Sequence, residues 1–217
     1  MKALKLSTGG TVGALVWRPA AAMALGVFGT ALAVYAMTAA RHLYWGDSGE
    51  LVAVAQMLGI AHPPGYPLYT LLGAFAVRLP LGTPAFNMSL LSGVFGAGAA
   101  AMAALTVWVL LRPDVEHPSP VSDAPRSSAR ATGLVAVARS SGSVLAGIAV
   151  ALNPTVWSQA TVPEVYTLSL LLLLTAFWSL AYNPARGLSA LLVQGFVAQN
   201  LVRLFLIPVG LASACYL

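Results

Sequence analysis

Apolar residues run along this chain in long stretches separated by short polar breaks. Residues 20–40, 86–111, 140–157, 164–182 and 188–217 are each predominantly apolar. As α-helices rising about 1.5 Å per residue, such runs approach or exceed the roughly 30 Å of a bilayer's hydrocarbon core. The last run is interrupted by Arg203 and Pro208, and the fourth contains the unbroken "LSLLLLLTAFW". Between the first two runs lie two shorter patterned segments. "DSGELVAVAQMLG" places Leu51, Val54, Ala55 and Leu58 at helical spacing, which predicts an amphipathic helix lying in an interface. Residues 66–79 are apolar but hold Arg78 and are too short to span, so they also belong in or near an interface.

Composition agrees with this pattern. The 217 residues are 59% hydrophobic and 8% charged, and the mean hydropathy is +0.82. A soluble domain carries about 25% charged residues, so a large soluble core is excluded. The expected fold class is an all-α integral membrane protein, a multi-pass helical bundle of about five transmembrane helices with an outer interfacial helix. The first run is too long for the apolar core of a signal peptide and reads as an uncleaved first span.

The net charge of +5 comes from basic residues scattered between apolar runs, with no basic patch interleaved with aromatics, so nucleic acid is not an expected partner. The single cysteine, Cys215, excludes an intrachain disulfide framework and a cysteine-rich metal site. Lys2, Lys5 and Arg18 precede the first span; Arg112, Arg126, Arg130 and Arg139 lie in or beside the loop 112–139; Arg186 lies in the turn 183–187. With alternating spans these fall on one side, leaving Arg41 and Arg78 on the other. The positive-inside bias then places residues 1–19 in the cytoplasm, and residues 41–85 and the turn 158–163 outside. The loop 112–139 is rich in Pro, Ser and charge and reads as a cytoplasmic linker. "GVFGAGAAAMAA" in the second span suits close helix packing.

Against this background "WGDSGELVAVAQMLGIAHPPGYPLY" is unusual. The chain has six acidic residues; Asp47 and Glu50 lie here and Glu164 follows the outer turn. A charge at mid-bilayer costs about 2.5–3.5 kcal/mol on insertion scales, and all three residues avoid that cost near one interface. Asp47 and Glu50 are three residues apart and share a helix face. Asp47 or Ser48 also suits an N-cap, and Glu50 or Glu164 a helix start. Pro63, Pro64, Gly65 and Pro67 exclude a regular helix and present His62 on a rigid turn. One histidine with scattered carboxylates does not make a structural zinc site. The carboxylates leave open a hard divalent cation such as Mg²⁺ or Mn²⁺, and no cofactor is otherwise indicated.

"GDSGELVAVAQMLGIAHPPGYPLYTLLG", "PLGTPAF" and "WSQATVPEVYTL" together resemble a polytopic membrane family long labelled as a domain of unknown function. Its vertebrate member is a protein O-mannosyltransferase of the endoplasmic reticulum, and the family is similar to the GT-C glycosyltransferases. The resemblance runs from about Tyr44 to about Leu180 and implies transfer of a hexose, mannose among the candidates, from a polyprenyl-phosphate donor to a hydroxyl of a protein or glycan acceptor outside the cytoplasm. It implies a catalytic base at Asp47 with Glu50 beside it. The candidates for substrate or carrier contacts around it are His62, Tyr66, Glu164, Arg41 and Arg78 on the outer side, and Arg203, an arginine inside an apolar span. The resemblance also implies residence in the endoplasmic reticulum of a eukaryote or the inner membrane of a prokaryote. The chain departs from the family at Asn87 and Ser89, where an Arg and an Asn are usual, and at "AQNLVR", which lacks a usual histidine. Those departures keep a truncated or inactive lipid-binding scaffold as the alternative. A transporter fits less well, since no paired repeat is present and only Arg203 is intramembrane.

Overall fold

The structure, a computed structural model, describes residues 9–63, 65–112 and 127–182, with side chains from residue 18 and, after the gap, from residue 133. Among these residues every regular element is helical. The order is α1 (Gly9–Thr38), α2 (Ser48–Met57), α3 (Pro67–Ala76), α4 (Pro84–Leu110), α5 (Ser127–Ala151), α6 (Pro154–Ala160) and α7 (Tyr166–Tyr182). Among the described residues three stretches are long and apolar enough to cross a membrane: Arg18–Thr38, Pro84–Leu110 and Gly133–Ala151. The expected fifth span, residues 188–217 with Arg203, lies outside the described residues.

Helix boundaries follow from local chemistry. Thr83 caps α4 by accepting the Phe86 N–H at 3.1 Å, with Pro84 at the first helical position. Asn153 caps α6 by accepting from Thr155 and Val156 at 2.9 and 3.3 Å, with Pro154 behind it. That cap and proline divide the apolar run 140–157 into α5 and α6, because the residue before a proline avoids helical geometry. At its other end α5 begins at Ser127, inside the segment expected as linker. α2 stops where Leu58 turns left-handed, at φ 52°.

α4 is the central element, packed against each of the other six helices. Its buried face is made largely of Gly, Ala and Ser, which lets neighbouring backbones approach closely. A Cβ at Gly96 would lie 2.9 Å from the Ala160 Cβ and 3.1 Å from the Tyr35 ring, and one at Gly93 would lie 3.3 Å from the Ala160 carbonyl oxygen. On the α5 side, a Cβ at Gly147 would lie 2.8 Å from Val27 and 3.0 Å from the Ala100 carbonyl oxygen. Polar ties brace the bundle at both ends. The Tyr35 hydroxyl donates to the Ala151 carbonyl at 2.7 Å. Arg139 donates twice to the Trp108 carbonyl, at 2.7 and 2.9 Å, with its guanidinium over the Trp108 ring.

Alternation of α1, α4, α5 and α7 gathers the end of α1, the segment holding α2 and α3, the start of α4, α6 and the start of α7 at one end of the bundle. Two hydrogen bonds fasten this end: Ala40 N–H to Thr161 C=O at 2.7 Å, and the Thr83 hydroxyl to Arg41 C=O at 2.6 Å. Gly147→Val, which forces a branched side chain against backbone, should lower stability by about 1–3 kcal/mol. Thermal unfolding in detergent would show this as a depressed midpoint, and an unchanged midpoint would contradict the close α1–α5–α4 contact.

Candidate active site

The gathered end carries the acidic stretch. Gly46, at φ +78°, turns the chain into α2. Asp47 sits at the N-cap position but makes no side-chain cap bond, so its carboxylate is not used to satisfy the helix. It remains half-exposed. Ser48 beside it is buried and accepts the Tyr44 N–H at 3.3 Å. Leu51, Val54 and Ala55 turn into the core as the periodicity required, whereas Leu58 is exposed because it forms the left-handed end of the helix.

After α2 the chain doubles back and brings His62 onto Glu50. One Glu50 oxygen accepts the His62 backbone N–H at 2.6 Å, and the other lies 2.9 Å from the ring Nδ1. Both carboxylate oxygens are therefore committed to one histidine. The reversal is tight: Gly65 N–H bonds His62 C=O at 2.8 Å, Gly65 lies at φ +90°, and Tyr66 follows at φ +44°. A left-handed tyrosine costs on the order of 1–3 kcal/mol of backbone strain. It turns the Tyr66 ring edge-on to His62, with centroids 5.3 Å apart and the hydroxyl 3.4 Å from Nε2. The same Nε2 lies 3.8 Å from Asp47 Oδ2.

Glu164 reaches the cluster from the turn before α7. Its backbone is gripped by Ser92 of α4, whose Oγ accepts the Glu164 N–H at 3.2 Å and donates to the Glu164 C=O at 3.1 Å. The remaining lone pair of Ser92 accepts from the buried Tyr69 hydroxyl at 2.9 Å. Ser92 thus joins α3, α4 and the α7 turn. Sequence reasoning missed both Ser92 and Tyr69. The available signal was a serine inside an apolar helix, where a hydroxyl needs a partner.

The electrostatics follow from these contacts. Hydrogen bonds from His62 hold Glu50 below the usual carboxylate range. The bond to Glu50 raises His62 above 6.5 despite the opposing effect of burial, with smaller help from the charges of Glu50, Asp47 and Glu164. Burial, and then the negative charge of Asp47, push Glu164 up. Burial also raises Tyr66, with surrounding acidic groups adding to it.

Arg41 and Arg78 stand elsewhere. Arg41 lies over the Phe86 ring at 5.2 Å, and the Arg78 guanidinium, in the turn after α3, bonds the Ala74 carbonyl at the end of that helix. His62 forms ion pairs with Asp47 and Glu50. Asn87, one of the departures, is buried and donates to Leu79 C=O at 2.7 Å; Ser89, the other, donates to Ala85 C=O. Donor atoms of Asp47, Glu50 and His62 lie within 4.8 Å of one another, close enough for a divalent cation. Both Glu50 oxygens already accept from His62, whereas Asp47 makes no cap bond.

Fold and site define a multi-helix integral membrane protein with a carboxylate–histidine cluster at one end of its bundle. The chain belongs to the family described as the protein O-mannosyl-transferase TMEM260 N-terminal domain, which matches residues 47–190. It is similar to the protein O-mannosyl-transferase TMEM260 of Mus musculus, 47% identical over 100 residues, covering 45% of this chain and 14% of the mouse protein. It is also similar to the protein O-mannosyl-transferase tmem260 of Dictyostelium discoideum, 42% identical over 79 residues, covering 35% of this chain and 10% of that protein. The matched region is thus a small part of each relative. No solved structure matches. The matched family region begins at Asp47 and contains Glu50, His62, Tyr66, Arg78, Ser92 and Glu164; Arg41 and Arg203 lie outside it.

The two linked titrations set a pH window. Glu50, lowered in the fold, stabilises above 4.5, and that contribution is lost as pH falls through its folded value. His62, raised in the fold, stabilises below 6.5, and that contribution is lost as pH rises through its folded value. The melting difference between wild type and His62→Gln should therefore be greatest between pH 4.5 and 6.5 and shrink on both sides. A difference independent of pH would remove the Glu50–His62 pair from the account.

Proposed function

We propose that this chain forms the N-terminal part of a GT-C-like membrane glycosyltransferase. It transfers a hexose, mannose by the names of its relatives, from a polyprenyl-phosphate donor to a hydroxyl of a protein acceptor on the extracytoplasmic side. The carrying observation is Asp47: a half-exposed carboxylate with no cap bond, beside a histidine already claimed by Glu50. In that role Asp47 removes the acceptor hydroxyl's proton as the anomeric carbon is attacked. Tyr66 and Glu164 shape the pocket around it. The N-terminus is cytoplasmic in this reading, which puts the cluster on the far side of the membrane, where the carrier presents its sugar.

In proteoliposomes supplied with polyprenyl-phosphate mannose and an acceptor protein, Asp47→Asn should lower the rate by about 10²–10⁴-fold. Equal rates for variant and wild type would remove Asp47 as the base. An inactive wild type that still binds the lipid would favour the scaffold alternative. Topology is checked separately. Gln56 is exposed on α2, whereas Ser48 is buried and unsuited to labelling. A cysteine at position 56, with Cys215 replaced by Ser, should react with an impermeant maleimide from outside; labelling only from the cytoplasm would overturn the orientation.

A further inference from the structure

We propose that Glu50 is a positioning residue rather than a second base, and that the histidine it holds, His62, takes up through Nε2 the proton that Asp47 removes from the acceptor. This rests on the transferase reading above and assigns roles within the same site.

The geometry distinguishes the two carboxylates. Glu50 has only lone pairs to offer, so the nitrogen 2.9 Å from it, Nδ1, carries the hydrogen in the neutral ring. Nε2 is then the basic edge. The backbone bond from His62 N–H to the other Glu50 oxygen, at 2.6 Å, stops the carboxylate from swinging away. Nε2 faces two groups: the Tyr66 hydroxyl at 3.4 Å, which can donate to it, and Asp47 Oδ2 at 3.8 Å. A small side-chain rotation closes the second gap to hydrogen-bond distance. The charged and titratable groups around the ring are Asp47 and Glu50 at the start of α2, Tyr66 at the start of α3, and Glu164 in the turn before α7. All are acidic or neutral, so the surroundings favour a positive charge arriving on the ring.

The step balances. The acceptor oxygen bonds the anomeric carbon while the bond from that carbon to the phosphate oxygen breaks, and its electron pair leaves with the phosphate. The acceptor's proton passes to Asp47 Oδ2 and on to His62 Nε2. Imidazole is a stronger base than a carboxylate, so Asp47 is restored as the anion. His62 is partly exposed and can return the proton to water. His62 must be neutral to receive it, so the rate should rise with pH through the His62 midpoint, which Glu50 holds above 6.5.

The test has one arm that needs no catalysis. Histidine NMR titration of the full chain in nanodiscs, with the His62 signal assigned by its loss in His62→Gln, should show the midpoint moving to lower pH in Glu50→Gln. In the transfer assay with polyprenyl-phosphate mannose, the acidic limb of the rate profile should move down with it. His62→Gln should lower kcat by about 10²-fold with little change in KM, and adding Glu50→Gln to it should cost little more. A midpoint unmoved by Glu50→Gln overturns the proposal. So does a limb that stays in place when the midpoint moves, while wild-type transfer leaves the broader reading standing. A wild type that transfers no sugar sinks that reading and the relay with it.

Discussion

Close backbone approach at α4 is the constraint on which the rest depends. In lipid, helices gain little from burying leucine against leucine, so contact comes from fit and from the few polar bonds that can be made. Gly93 and Gly96 let α4 meet Tyr35 of α1 and Ala160 of α6 at distances a larger residue would forbid. Ser92, next to Gly93, then falls within reach of the Glu164 backbone and the Tyr69 hydroxyl. The spacing that packs the bundle therefore also sets where the acidic turn sits over the cluster.

The second constraint is scarcity of charge. Where few charged groups exist, each one must be answered by a neighbour or kept at an interface. Glu50 is answered by His62 through two hydrogen bonds. Arg139 is answered by the Trp108 carbonyl and ring, and Arg78 by the carbonyl of Ala74. Asp47 is held more loosely: it stands at a helix start that it does not cap, with His62 Nε2 3.8 Å from Oδ2. The two carboxylates of the stretch are thus held differently, Glu50 by two short hydrogen bonds and Asp47 by one longer contact.

Much of the fold was legible because bilayer length and apolar runs leave few alternatives. α1, α4 and the segment with α2 and α3 lie along the patterned runs, although α1 already begins at Gly9. The run 140–157 was not legible as two helices, although Asn153 and Pro154 carry a cap and a break in plain view; an apolar count does not weigh a capping asparagine. Residues 127–139 read as linker because Ser and Arg outweigh apolar residues there, yet they continue the helix of α5. At the site, the gathering of Asp47, Glu50, His62 and Glu164 at one end followed from topology. Ser92 and Tyr69 did not, since their partners lie 72 and 23 residues away.

Spacing alone leaves one point open. Asp47 and Glu50, three apart on one helix, share a face, and the spacing does not say how each carboxylate is held. The chain reversal at Leu58, Gly65 and Tyr66 separates them by delivering the Nδ1 edge of His62 to Glu50 at 2.9 Å and leaving Nε2 3.8 Å from Asp47. Local periodicity fixes which residues share a face, but only the path of the returning chain decides how each carboxylate is held. The strain held at Tyr66 is intelligible in that light. Without a left-handed residue there, the phenol would not meet Nε2, and the edge of His62 that faces Asp47 would lose one of the two groups that define it.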